Sequence, residues 1–131
     1  MTPSSLDSSD VRVLIIDDDE DIRDTLTLLL RSKGIVNVDT ATNGAEGFEK
    51  LKRADKPYAV LLDLMMPVSN GWDFLKKFET HPELSVHRVA IMSAGNPDRS
   101  TLAPYPFFQK PPDIRALLDF AQARSGHPKL P

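Results

Sequence analysis

The sequence predicts a single α/β domain with a parallel sheet that helices cover on both faces. Short β-branched or apolar runs alternate along the chain with amphipathic helical segments, and this alternation is typical of parallel strand pairing. The chain has 131 residues, with 16 basic and 19 acidic side chains and no cysteine. That length allows one buried core, and the lack of cysteine excludes disulfides, thiolate metal sites and thiol nucleophiles.

The first strand and helix are predicted by a change in the apolar period. Val11–Ile16 is a β-branched run of the kind that is buried on both faces. Acidic residues then crowd the first turns of a helix, and Gly34 stands where a left-handed residue ends one. The apolar positions of this helix, at helical spacing, are Ile22, Leu26, Leu29 and Leu30.

The same pattern continues to the carboxyl end of the chain. Strands are predicted from their apolar or β-branched runs, and helices from apolar pairs three or four residues apart. Trp72 and the phenylalanines are predicted to make core or helix–sheet contacts. In order, the elements are a strand at 35–41, a helix from Asn43-Gly44 to about Asp55, a strand at 58–62, a helix from Trp72 that stops before His81-Pro82, strands at 89–92 and around Phe107-Phe108, and a last helix that Asp113 caps and Gly126 ends.

The connection between the fourth and fifth strands leaves little room for a helix. Ala94–Pro106 is 13 residues long, and a crossover that contains a helix needs at least about 10–12. Pro97 and Pro104 interrupt it further, because proline cannot occupy a helix interior. We therefore expect this helix, the fourth in a regular alternation, to be shortened or absent.

Charge and hydropathy restrict the partners and the location. The net charge of −3 disfavours nucleic acid or an anionic membrane as a partner. Residues 1–10 are polar and acidic and lack the features of a secretory signal, and the longest apolar runs are too short to span a bilayer. We expect a cytoplasmic protein with tails at 1–10 and 127–131 and a domain at 11–126.

Chemically capable side chains follow four of the predicted strands. Asp17 and Asp18 end the first strand, Asp63 the third, Ser93 the fourth and Lys110 the fifth. Ligands of open α/β sheets bind at these carboxyl ends. If the first and third strands are neighbours, their carboxylates converge and repel by roughly 4 kcal/mol at about 4 Å. Carboxylates without nearby cysteine or clustered histidine predict Mg²⁺ as the counter-charge.

A carboxylate beside Mg²⁺, a hydroxyl and a lysine is typical of phosphoryl transfer, in which the carboxylate can be the nucleophile. Asp63 is the strongest candidate, because a carboxylate directly after an apolar strand costs desolvation unless it has a partner. His81 and His87 lack metal-ligand spacing and are predicted at the surface. The acidic residues that we interpret as solvated partners of the helix dipole are Asp19, Glu20, Asp21 and Asp24.

Four motifs together resemble the receiver domain of bacterial response regulators, over about residues 11–125. They are IIDDDEDIR, LLDLMMPVSNGWDFL, IMSA and FFQKP. The resemblance implies a flavodoxin-like, doubly wound five-stranded sheet in the order 2-1-3-4-5, and that order is taken from the family. It also implies a two-component signalling role.

Residue by residue, the resemblance assigns the chemistry of the site. It implies that Asp63 is the phospho-acceptor, and that Asp17 and Asp18 bind Mg²⁺ together with Asp63 and the backbone carbonyl of Met65. Lys110 resembles the family's invariant cation. The implied phosphoryl donor is a phosphohistidine on a sensor histidine kinase or a histidine phosphotransfer protein.

The resemblance also identifies the switch residues. Ser93 resembles the hydroxyl that follows the phosphoryl group, and Phe107 occupies the position of the aromatic rotamer switch. A cis Lys110–Pro111 bond is usual in the family. Met65 and Gly95, two residues beyond acceptor and hydroxyl, cannot align a water through polar side chains, so we expect slow self-dephosphorylation.

Only His127–Pro131 follows the predicted domain and its last helix. On that basis we expect no DNA-binding or enzymatic output domain, and no catalysis beyond the chain's own phosphorylation and dephosphorylation. Output would then pass to an unknown protein target by binding, or to a further carrier by phosphoryl relay.

Two other readings are open. Val13–Asp19 also resembles the start of haloacid-dehalogenase-type phosphatases, with Asp17 as nucleophile and Asp19 as acid, but this reading leaves Asp63 unexplained. Asp21 also stands where threonine or valine is usual, and no acidic pair follows Lys110. The other reading is a receiver-like interaction module that takes no phosphate, and the complete set of site residues argues against it.

Overall fold

A computed structural model describes residues 11–66, 71–95, 97–102 and 104–123. The predicted tails at 1–10 and 127–131, and Gly126, lie outside these ranges. None of the helices in the described ranges has the length and apolar character that crossing a bilayer requires. The strands and α-helices are β1 Arg12–Ile16, α1 Glu20–Ser32, β2 Asn37–Ala41, α2 Gly44–Arg53, β3 Ala59–Asp63, α3 Gly71–Glu79, β4 Arg88–Ser93, β5 Phe107–Gln109 and α4 Ile114–Gln122.

The five strands form one parallel sheet in the order β2-β1-β3-β4-β5. This confirms the predicted doubly wound fold and its order. Ile16 pairs with Leu62, so the acids that follow β1 and end β3 reach the same edge of the sheet. Ser93 pairs with Gln109, which places the residue after β5 at that edge too.

Side chains of β1 alternate between two cores, one on each face of the sheet. Leu14 and Ile16 belong to the core under α2 and α3, whereas Val13 and Ile15 belong to the core under α1 and α4. A strand covered on both faces has to be apolar throughout, which explains the continuous apolar run in the sequence.

The end of α1 agrees with its prediction and corrects the predicted start of β2. Gly34 has a φ of 96°, its N–H donates to the Arg31 carbonyl, and the Ile35 N–H donates to the Leu30 carbonyl. These paired bonds are a Schellman motif, which confirms the predicted end of the helix. Because Ile35 closes the helix, β2 begins at Asn37 and not at residue 35. Leu29 shares the helical spacing of Leu26 and Leu30 but is 40% exposed, so the spacing does not place it in the core.

The connection from β4 to β5 contains a short 3₁₀ helix at Arg99–Thr101 and no α-helix among its described residues, as predicted. Leu102 is buried in the core under α3, where a full helix would otherwise contribute apolar side chains. Tyr105 packs against the same core, and its hydroxyl donates to Glu79 Oε2 at 2.6 Å. The connection is therefore fastened to the last residue of α3.

Two side chains differ from their predicted surroundings. Trp72 is 39% exposed, because Phe74 and Leu75 occupy the core-facing side of α3. His87, predicted at the surface, is buried between the end of α2 and the start of β3. Its Nδ1 accepts the Tyr58 N–H at 2.9 Å, and its Nε2 lies 3.3 Å from the Leu51 carbonyl. Burial lowers the pKa of His87, although the bond to Leu51 opposes the effect.

Candidate functional site

Three of the predicted residues meet at the carboxyl edge of the sheet. The Lys110 ammonium lies 2.7 Å from Asp17 Oδ2 and 3.3 Å from Asp63 Oδ2. Both carboxylates are buried and the lysine side chain is 14% exposed. A single cation therefore bridges the acids that follow β1 and end β3, and such charge-assisted contacts are strong because water is largely excluded.

Asp17 is held through each of its polar groups. Its N–H donates to the Ala41 carbonyl at 3.1 Å, and its Oδ1 accepts the Asp19 N–H at 2.9 Å. Its carbonyl accepts from Arg23 Nη1 at 2.9 Å, and its Oδ2 contacts Lys110. A buried acid with all of these contacts has one orientation.

The Asp63 carboxylate makes contacts of the same two kinds, and both are longer. Its Oδ1 accepts the Met65 N–H at 3.2 Å, and its Oδ2 contacts Lys110. Burial raises the pKa of Asp63, the Asp17 carboxylate raises it further, and the Lys110 ammonium opposes both effects. The Lys110 ammonium thus favours the ionised form of Asp63, which is the form that can act as a nucleophile.

The surroundings of Lys110 keep its side chain protonated. Burial by itself lowers the pKa of the ammonium, but the hydrogen bonds and charges of Asp17 and Asp63 outweigh burial and raise it above its ordinary value. The site therefore holds a fixed positive charge at neutral pH, beside two acids. Such a charge can neutralise oxygen atoms of a phosphoryl group.

The acidic residues form a pocket with the chemistry of a metal site. Asp17, Asp18 and Asp63 offer carboxylate oxygens that all lie within 4.8 Å of one another. Asp18 is exposed and the other two are buried, so the pocket opens to solvent on one side. A set of hard oxygen donors fits Mg²⁺, which binds through one or two carboxylates and keeps several waters.

Of the two predicted switch residues, Ser93 is joined to the site through the backbone of Lys110. Ser93 is buried at the end of β4, its Oγ accepts the Gly95 N–H at 3.1 Å, and its carbonyl accepts the Lys110 N–H at 2.9 Å. Phe107 is half-buried and packs against the core under α3. The Lys110–Pro111 bond is cis, as the resemblance implied.

Two contributors to the site were missing from the sequence analysis. Arg23 reaches back from the first turns of α1 to the Asp17 carbonyl, a backbone contact that leaves no signal in the sequence. Gly71 starts α3 against the backbone of Asp63 and Leu64. A Cβ atom there would lie 2.8 Å from the Asp63 carbonyl oxygen and 2.8 Å from Leu64 Cα. The sequence alone does not show that a side chain at this position would be too close to its neighbours.

A doubly wound parallel sheet with buried acids and a lysine at its carboxyl edge defines a class of α/β domains that bind ligands at the strand ends. The profile of the response regulator receiver domain matches residues 13–105. The chain belongs to this family, which confirms the resemblance.

Solved structures show the same fold. The Vibrio cholerae chemotaxis protein CheY4 superposes with a TM-score of 0.71 over 83% of this chain and 93% of that one, at 23% identity. A CheY-like response regulator receiver domain protein from Methanospirillum hungatei has a TM-score of 0.69 over 84% and 90% of the two chains, at 26% identity. The similarity covers more than four fifths of this chain and at least nine tenths of each of those two chains.

Curated relatives are much longer than this chain. The sensor histidine kinase CheAY of Helicobacter pylori is 39% identical over an alignment of 92 residues, and the alignment covers 65% of this chain and 11% of the kinase. A protein-glutamate methylesterase/protein-glutamine glutaminase of Bacillus licheniformis is 35% identical over 89 residues, which are 67% of this chain and 25% of the enzyme. The chain therefore spans a quarter or less of these two relatives.

Proposed function

We propose that this chain accepts a phosphoryl group on Asp63, with Mg²⁺, from the phosphohistidine of a sensor histidine kinase or a histidine phosphotransfer protein. One observation carries the proposal: the Lys110 ammonium bridges Asp17 and Asp63, inside a group of three carboxylates whose oxygens lie within 4.8 Å of one another. Structural ion pairs rarely collect three acids around one cation, because the excess negative charge is unfavourable.

The charges at the site support this function. Asp17, Asp18 and Asp63 carry three negative charges and Lys110 carries one positive charge, so the group has a net charge of −2 when all four are ionised. A divalent cation neutralises that charge. When bound, Mg²⁺ would shield the oxygens of an incoming phosphoryl group and orient them, with Asp17, Asp18, Asp63 and the Met65 carbonyl as its proposed ligands.

The proposed transfer exchanges a P–N bond for an O–P bond. A carboxylate oxygen of Asp63 attacks phosphorus, an O–P bond forms and the P–N bond to imidazole breaks. The imidazole nitrogen keeps the electron pair and takes a proton. Lys110 lies 3.3 Å from Asp63 Oδ2 and is placed to pair with a phosphoryl oxygen. Hydrolysis later breaks the same O–P bond when water attacks phosphorus, and it restores the carboxylate.

Signalling would follow from a change of partner at Ser93. Its hydroxyl oxygen now accepts the Gly95 N–H, and we propose that it turns to donate to a phosphoryl oxygen. Phe107, half-buried beside the β4–β5 connection, is proposed to change rotamer with it. The altered surface would be read by a protein target, or the phosphoryl group would be relayed onward. We place the reaction in the cytoplasm, where ATP-dependent kinases form phosphohistidine.

The test is phosphorylation of the full chain by acetyl phosphate with Mg²⁺, followed by mass-spectrometric mapping of the acyl phosphate. We expect the label on Asp63, and we expect it to disappear in Asp63→Asn or when the metal is chelated. Asp119→Asn is the matched control, because Asp119 is an exposed acid on α4, remote from the site.

The same experiment separates the two other readings. Label on Asp17 would contradict the proposal and support a haloacid-dehalogenase-type phosphatase. Absence of label, with no response of the Trp72 fluorescence to millimolar Mg²⁺, would contradict it and support a phosphorylation-independent interaction module.

A further inference from the structure

Arg23 contacts the acidic pocket but has no part in the chemistry proposed above. Its Nη1 donates to the carbonyl oxygen of Asp17 at 2.9 Å. We infer that Arg23 is a positioning residue, which holds the loop after β1 in the conformation that binds the divalent cation. This inference rests on the proposed metal site and adds a residue outside its ligand set.

The peptide bond between Asp17 and Asp18 explains how one hydrogen bond could matter. The Asp17 carbonyl oxygen and the Asp18 nitrogen lie in one rigid plane. Fixing that oxygen therefore fixes the direction in which the chain enters Asp18. Asp17 and Asp63 are buried and held by neighbouring strands, whereas Asp18 is exposed. The contact from Arg23 thus orients the ligand that the sheet itself holds least.

Arg23 is well anchored for this role. It lies in the first turns of α1, and its own N–H donates to the Asp19 carbonyl at 3.0 Å. The helix is fixed by the Asp19 cap, whose Oδ1 accepts the N–H groups of Asp21 and Ile22. Leu26 and Leu30 bury the helix against the sheet. A planar guanidinium on such a support loses little freedom when it binds a carbonyl.

The charge of Arg23 acts in the opposite direction to its hydrogen bond. A guanidinium near a cation site repels the cation, so loss of the charge alone would tighten Mg²⁺ binding. Loss of the anchor would weaken binding, because Asp18 would sample orientations that cannot ligate. The two effects have opposite signs, and the sign of the change in Mg²⁺ affinity therefore identifies the dominant one.

The test compares Mg²⁺ dissociation constants of the full chain and its variants by calorimetric titration. Arg23→Met keeps the apolar stem and removes donors and charge, and we expect its dissociation constant to rise about three- to tenfold. Arg23→Lys keeps the charge and one shorter donor, and should recover part of the affinity. Arg31→Met is the control, because Arg31 is exposed in the last turn of the same helix.

A second measurement separates positioning from general support of the fold. Amide hydrogen exchange of the metal-free protein should become faster at Asp18 and Asp19 in Arg23→Met, with the core strands unchanged. Unaltered or tighter Mg²⁺ binding by Arg23→Met would overturn the inference, even if the variant unfolds more easily. Failure of the unmodified chain to bind Mg²⁺ or to be labelled at Asp63 would instead overturn the proposed function, and the exchange at Asp18 would still report on the contact.

Discussion

Asp17 and Asp63 are neighbouring acids that differ in how their charges are held. Each carboxylate accepts one backbone N–H and contacts Lys110, but the ammonium lies 2.7 Å from Asp17 Oδ2 and 3.3 Å from Asp63 Oδ2. The sequence predicted that both acids reach one edge, because each follows an apolar strand. It could not predict Arg23, since a contact to a backbone carbonyl requires no particular residue type at the accepting position.

At the same scale, we expect the residues beside Asp63 to determine how long the proposed acyl phosphate persists. Met65 is 70% exposed and apolar, and Gly95 has no side chain. Neither can align a water for attack on phosphorus, so we expect an acyl phosphate that persists well beyond seconds at neutral pH. Met65→Gln should shorten the half-life several-fold, because it adds a polar group that can hold water there. Both half-lives are measured from the decay of the label after acetyl phosphate is removed, with Mg²⁺ still present.

The control for this experiment is Val86→Gln, which makes the same kind of change at an exposed apolar residue before β4, at the opposite edge of the sheet. Its half-life should equal that of the unmodified chain. A half-life of seconds in the unmodified protein would show that a water is aligned without these side chains.

At the scale of elements, the strands were the most predictable part of the fold. All five lie within about two residues of their predicted positions. For β1, β3 and β4 the reason is that a strand buried on both faces leaves a continuous apolar run. The start of β2 was wrong because Ile35 completes the end of α1. The roles of Leu102 and Tyr105 were not predictable, since they fill space that a helix usually fills and follow no period.

The junction of α3 with the acceptor yields an element-scale prediction. Gly71→Ala would push a methyl group against the Asp63 carbonyl oxygen and Leu64 Cα, both at 2.8 Å. We expect the free energy of unfolding to fall by about 1–3 kcal/mol, as for other overpacked sites, and the rate of labelling by acetyl phosphate to fall as well. Denaturant unfolding measures the first effect.

Gly95→Ala is the matched control, because among the described residues its Cβ would meet only Ser93 Oγ, at an ordinary 3.6 Å. Its stability should be unchanged or slightly raised, since alanine restricts the unfolded chain. If Gly71→Ala were equally stable, α3 would have to be able to move away from the acceptor.

At the scale of the whole molecule, the two edges of the sheet hold different groups of polar side chains. The carboxyl edge holds the acids and Lys110, and the amino edge holds His87, which joins α2, β3 and β4. The resemblance predicted the first edge from its motifs. It could not predict the second, because a histidine in a loop is usually exposed and only the packing of distant elements buries this one.

His87 should make the stability of the whole protein depend on pH. Its lowered pKa means that the unfolded chain takes up a proton near pH 6.5 while the folded chain stays neutral. The free energy of unfolding should therefore fall as the pH drops below about 6.5, by at most about 1.4 kcal/mol per pH unit from this group, and should not change on its account at higher pH.

His87→Gln removes this titration. The variant should be less stable than the unmodified chain at neutral pH, because the two backbone bonds are disturbed, but its stability should fall less steeply between about pH 6.5 and pH 5. Denaturant unfolding at several pH values measures the slopes. Parallel slopes would mean that His87 takes up its proton equally in both states.

β3 lies between the acidic pocket and His87. It runs five residues, about 17 Å, from the neighbour of Tyr58 to Asp63. We therefore expect the pH dependence of stability and the lifetime of the proposed acyl phosphate to be set at opposite ends of one strand, so that a substitution can change either one without changing the other.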